Sequence, residues 1–176
     1  MSDEVLVAFA TRHEATRGIA AAISDVLDEA GISVRLEALD AVGDLRAYRA
    51  AIIGCCVFAG QWMPDARAFL VDHERELRAM PVWLFASGPA EPLPDAATVD
   101  VPASLVAAIE RIRPRDVALF AGSLQPHHVG TGLRVLARLS KESLSEHRDW
   151  AAVERWSRHV AQEIAFPAAK RTLRNM

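Results

Sequence analysis

The chain has 176 residues, 51% of them apolar, and a formal net charge of −3. That length suits a single domain, 1–176, with a real core, and the apolar share and mild charge argue against a disordered chain and a broadly basic nucleic-acid binder. No stretch approaches the roughly 20 apolar residues of a membrane span, and Asp3 and Glu4 ahead of a short apolar run do not make a secretory leader, so the expected location is cytoplasmic.

Val5-Leu6-Val7-Ala8-Phe9-Ala10 is a continuous apolar run, the pattern of a parallel strand covered on both faces. It passes through the hydroxyl-bearing turn Thr11-Arg12-His13-Glu14-Ala15-Thr16 into a helix expected over Thr16 to Ala30, with Ile19, Ala22, Ile23, Val26 and Leu27 on one face and Gly31 as its stop. A strand, a turn and a helix in this order leave backbone N–H groups at the positive end of a helix dipole, which suits a bound phosphate. Ile32 to Leu39 alternates apolar and polar residues, as a half-exposed strand near a sheet edge does.

Ala50 to Val57 is again continuously apolar and predicts a buried strand. Pro64 to Arg78 predicts a helix with Ala68, Phe69, Val71 and Leu77 inward, and Pro81 to Ala86 the next buried strand, ending in a loop from Ser87 to Pro94. Ala103 to Ile112 predicts a shorter helix and Asp116 to Ala121 a fifth strand. Alternating strands and helices with right-handed crossovers give an α/β three-layer sandwich around a five-stranded parallel sheet, with expected order 2-1-3-4-5. That order sets the switch point beside the turn at Thr11 to Thr16, where an open α/β sheet takes its ligand.

Beyond the fifth strand, Ser123 to Arg148 is less regular, with a loop at Gln125 to Gly130 and a short amphipathic helix carrying Leu133, Val135, Leu136 and Leu139. Asp149 caps a final helix whose expected apolar face is Trp150, Val153, Trp156, Val160 and Ile164. Residues 166–176, with Lys170, Arg171 and Arg174, form a basic tail expected to fray. Adjacent Cys55 and Cys56 match no zinc spacing and no C-x-x-C motif, and predict reduced thiols used for packing. The zinc-protease, nucleophile-elbow, Walker and dinucleotide-binding patterns are absent, so no metal ligand and no catalytic residue is assigned.

Three segments carry a family likeness: the A-T-R-x-x-x-T turn at Ala10 to Thr16, the I-I-G run at Ile52 to Gly54, and R-P-R-D-V-A-L-F-A-G-S-L at Arg113 to Leu124. With the Asp149-Trp150 entry to the last helix, the chain resembles the flavodoxin family over nearly its whole length. Within it, the chain looks most like the flavodoxin-like, quinone-dependent protoporphyrinogen IX dehydrogenases of heme synthesis.

The resemblance implies a flavodoxin-like fold and FMN held without a covalent bond by three loops. The first, Thr11, Arg12, His13, Glu14, Ala15 and Thr16, would take the phosphate through hydroxyls and amides; Thr16 as a simple helix N-cap is the other role open to it. The second, Cys56, Val57, Phe58, Ala59, Gly60 and Trp62, would line the ring, with Phe58 or Trp62 stacking and Gly60 allowing a peptide rotation near the flavin N5; docking of Trp62 and Met63 onto the helix at Pro64 is the alternative. The third, Ser87, Gly88 and Pro89, would meet the pyrimidine edge.

Implied partners are a redox protein or quinone and a porphyrinogen substrate, with no nucleic acid and at most peripheral membrane contact. His127, His128 and Arg134 would face substrate carboxylates or anionic lipid, or simply solvent. Glu14 stands where the family usually has glycine and Ala10 where it often has serine, which implies weakened FMN affinity. Two alternatives follow from the same residues: an electron carrier without its own substrate, and a flavin-free binding module.

Overall fold

Five parallel strands form the centre of the molecule in a computed structural model, which describes residues 3–10, 15–58, 61–88, 103–121 and 150–166. The strands are β1 (Val5–Ala10), β2 (Val34–Ala38), β3 (Ala50–Phe58), β5 (Val82–Gly88) and β6 (Asp116–Ala121), and they lie in the order β2-β1-β3-β5-β6. This is the order expected from the sequence. A two-residue strand, β4 (Gln61–Trp62), pairs antiparallel with the end of β3, matching Val57 with Trp62 and Phe58 with Gln61.

The continuous apolar runs become the central strands because both of their faces are covered. Every residue of β1 is buried, as are Ala50 to Cys55 of β3 and Val82 to Ser87 of β5. Edge strand β2 keeps Arg35 exposed, as its alternation predicts, but Leu36, expected on the apolar side, is exposed as well.

Helix α1 (Ala15–Glu29) and α5 (Trp150–Ala165) cover one face. There Val5, Val7, Ile52, Trp83 and Phe85 meet Ile19, Ile23, Leu27, Trp156 and Val160. Helices α2 (Pro64–Asp72), α3 (Glu74–Leu77) and α4 (Ala103–Ile112) cover the other, where Leu6, Ile53 and Leu84 meet Leu70, Leu77 and Ile109. Two 3-10 turns, Leu39–Ala41 and Leu45–Ala47, join β2 to β3.

Helix α1 ends in a Schellman motif: Gly31 takes φ +78, its N–H donates to Asp28, and the Ile32 N–H donates to Leu27. Gly54 is required for a different reason. A Cβ there would lie 2.0 Å from the Phe85 ring, which occupies that space at zero exposure.

Several local expectations need correction. The helix expected over Pro64 to Arg78 breaks at His73, whose φ of −104° and ψ of 17° leave the helical region. Leu77 and Phe69 reach the core as expected, but Ala68 and Val71 face solvent, and Ala66 and Leu70 take the inward positions of α2 instead. β3 runs one residue and β5 two residues beyond their apolar stretches, so Phe58, Ser87 and Gly88 are strand and not loop, and Cys56 and Val57 of the second ligand segment belong to the strand expected over Ala50 to Val57. Trp150 is half exposed, because it opens α5 at the helix end, where its ring lies over Gly18 of α1. Expectations for Thr11 to Glu14, Ala59, Gly60, Pro89, the Ser123 to Asp149 segment and the 167–176 tail fall outside the described residues.

Candidate functional site

The strand order reverses between β1 and β3: from β1 the chain passes outward to β2, and from β3 it passes the other way to β5 and β6. Crossovers diverging on opposite sides open a crevice at the carboxyl ends of these strands. Ala10 of β1 pairs with Cys55, and Cys56 pairs with Ser87, so the ends of β1, β3 and β5 lie side by side at this crevice.

Ala15 and Thr16 occupy the first turn of α1, where N–H groups lack an intrahelical acceptor and the dipole is positive. Thr16 lies one residue inside the helix, so its hydroxyl is free of a capping role. Instead its Oγ1 meets the Ser87 Oγ at 2.7 Å, with both side chains buried. This bond ties the start of α1 to the end of β5 across the sheet.

Cys56 lies beside Ser87 in the sheet. Burial pushes its thiol up from the ordinary value, and a hydrogen bond from Ser87 draws it partly back. Cys55, fully buried on the opposite face, is pushed well above its ordinary range by burial and, to a lesser degree, by Cys56. Both are free thiols.

Trp62 is buried with Met63 in the core beneath α2. Among the described residues its indole N–H has no hydrogen-bond partner, which leaves a buried donor in the second ligand segment. Thus Thr16, Cys56 and Ser87 come together; Trp62 sits in the core beneath α2; Ala15, Val57, Phe58 and Gly88 lie on the same strand and helix ends. Both Thr16 and Ser87 are candidates for the site on the resemblance, but their direct hydrogen bond carries no sequence signal, since they stand 71 residues apart. Among the described residues no group of His, Cys, Asp and Glu converges to hold a metal ion, and no helix is long and apolar enough to cross a membrane.

A sheet of order 2-1-3-4-5 with a polar crevice at its switch point defines the doubly wound, mononucleotide-binding class of α/β protein. The family model for the flavodoxin domain matches residues 6–149, and the chain belongs to that family. No curated protein sequence matches it significantly.

Solved structures show the same fold at low sequence identity. A flavodoxin from the domain Archaea superposes with a TM-score of 0.58 at 12% identity, covering 92% of this chain and 99% of that one. Oxidised flavodoxin 2 from Bacillus cereus gives 0.56 at 19% identity, with 93% and 99% covered. Rubredoxin oxygen:oxidoreductase from the anaerobe Desulfovibrio gigas gives 0.61 at 13% identity; the likeness covers 96% of this chain but 38% of that longer one.

The residues at the crevice fit the chemistry of a flavin mononucleotide. Buried hydroxyls and first-turn amides suit a phosphate dianion.

Proposed function

We propose that this protein binds FMN at the carboxyl ends of β1, β3 and β5 and works in electron transfer. The observation that carries this is the buried Thr16–Ser87 pair at the start of α1, set at the switch point of a flavodoxin-family sheet. Thr11 to Thr16 take the phosphate through hydroxyls and amides, and the β3 and β5 ends, with Phe58, Gly60, Ser87 and Gly88, border the ring.

FMN, when bound, supplies one- and two-electron redox chemistry, and the chain supplies position and electrostatics. Ser87 holds Thr16 in place, and the protonated Cys56 thiol keeps negative charge away from that edge. Arg12 and Arg17 flank Glu14 in sequence, and either would offset its charge if the carboxylate turns outward to solvent.

For substrate, the segment Arg113 to Leu124 and the Asp149-Trp150 pair support a porphyrinogen of the protoporphyrinogen IX type, with a quinone as acceptor. Purified protein loaded with FMN should stay yellow after desalting, at one flavin per chain, with saturable quenching of tryptophan fluorescence during titration; protein that leaves desalting colourless after saturating FMN overturns the cofactor assignment. Loaded protein should then bleach a quinone only when protoporphyrinogen is present. A loaded protein that accepts electrons from a reductase but leaves protoporphyrinogen untouched is a carrier and not a dehydrogenase.

A further inference from the structure

At the opposite pole, the amino-terminal end of β5 and β6, four arginines line one pocket of about 430 Å³ with Met80 and Pro81. They come from separate elements: Arg78 follows α3, Arg111 ends α4, and Arg113 and Arg115 belong to the turn into β6. Three of them stand at alternate positions in Arg111-Ile112-Arg113-Pro114-Arg115.

One carboxylate serves this group. Glu74 accepts from the Arg111 Nε at 2.7 Å and lies 3.9 Å from the Arg78 Nη1. Arg115 stacks over the Trp83 ring at 5.6 Å, and its backbone N–H donates to Val82 at 2.7 Å. Among the described residues, no carboxylate forms an ion pair with Arg113 or Arg115. A cationic concentration therefore stands on a chain whose net charge is −3.

Arg113 is the second observation. It takes φ +55 at the end of α4, the position that glycine fills at the end of α1. An L side chain is strained there, so the backbone holds an arginine at the pocket rim where glycine would be easier. Strain of this kind gathers at functional positions.

We propose that this pocket is an anion site for a soluble phosphorylated small molecule carrying at least two negative charges. Guanidinium forks match phosphate oxygens in pairs, and a pocket of this size falls in the range of small-molecule sites. The site is separate from the proposed flavin crevice, at the far end of the same strands.

Calorimetric titration with inorganic pyrophosphate tests the assignment. The expected result is saturable binding that weakens with added salt, and a loss of about tenfold in affinity in each of Arg113→Gly and Arg115→Gln. Arg113→Gly should also melt at a higher temperature, so lost binding in that variant cannot come from lost folding. FMN affinity should be unchanged in both variants.

Absence of pyrophosphate binding, or binding equal in wild type and both variants, overturns the proposal. A parallel arm uses phosphatidylglycerol vesicles, with phosphatidylcholine vesicles as control. Capture by phosphatidylglycerol without pyrophosphate binding overturns the soluble ligand in favour of a lipid headgroup; pyrophosphate binding without capture supports it.

Discussion

Gly54 shows how one missing side chain organises a sheet. The Phe85 ring fills the space above it, so Gly54→Ala should cost about 3 kcal/mol as the ring is forced aside; chemical denaturation of the two proteins checks this. Arg113→Gly should do the opposite and gain about 1 kcal/mol by relieving the left-handed strain. Residue-level causes like these were only half legible in the sequence. Gly54 stood out in the I-I-G run, but the ring that requires it comes from the neighbouring strand, and its register is visible only in the fold. Gly31, whose contacts are local, was legible as a helix stop, whereas nothing in Arg113-Pro114 announced a positive φ.

At the scale of elements, the Thr16–Ser87 bond couples helix α1 to strand β5. Removing one hydroxyl leaves its buried partner unsatisfied, so Thr16→Val and Ser87→Ala should each cost about 1–3 kcal/mol. The double variant should cost less than the sum, and a double-mutant cycle by denaturation measures the coupling. Strand and helix identities were legible because continuous apolar runs and helical periodicity are strong local signals. Strand ends were not. Phe58, Ser87 and Gly88 look like loop because their pairing depends on neighbouring strands, and two-residue β4 is too short to carry any pattern. Trp150 failed for a related reason: periodicity assigns it to the apolar face of α5, but at the helix terminus its ring lies over Gly18 and stays half exposed.

For the whole molecule, burial of two neutral thiols sets a direction for pH dependence. Cys55 and Cys56 both hold their protons more tightly when folded than an unfolded thiol does. Their contribution is complete below the ordinary thiol range near about pH 8.5 and is lost as pH rises through and beyond it, because the unfolded chain ionises first. Melting temperature should therefore fall on the alkaline side, and Cys55→Ala should make that fall shallower. Class of fold and strand order were recoverable from the chain because they follow from alternation and crossover handedness, and the place of the switch-point crevice came with the order; the arginine pocket at the other pole was not, since Arg78 and the Arg111 to Arg115 segment carry no mutual signal.

β3 sits between partners drawn from both directions of the chain: Ala50 meets Val5, and Ala51 meets Val82. Neither flank of the sheet is complete until this segment has threaded between them, so its amides have no route to solvent short of dismantling the domain. Deuterium uptake at Ile52 and Ile53 should accordingly track the free energy of complete unfolding, while edge amides of Val34–Ala38 trade protons through smaller openings.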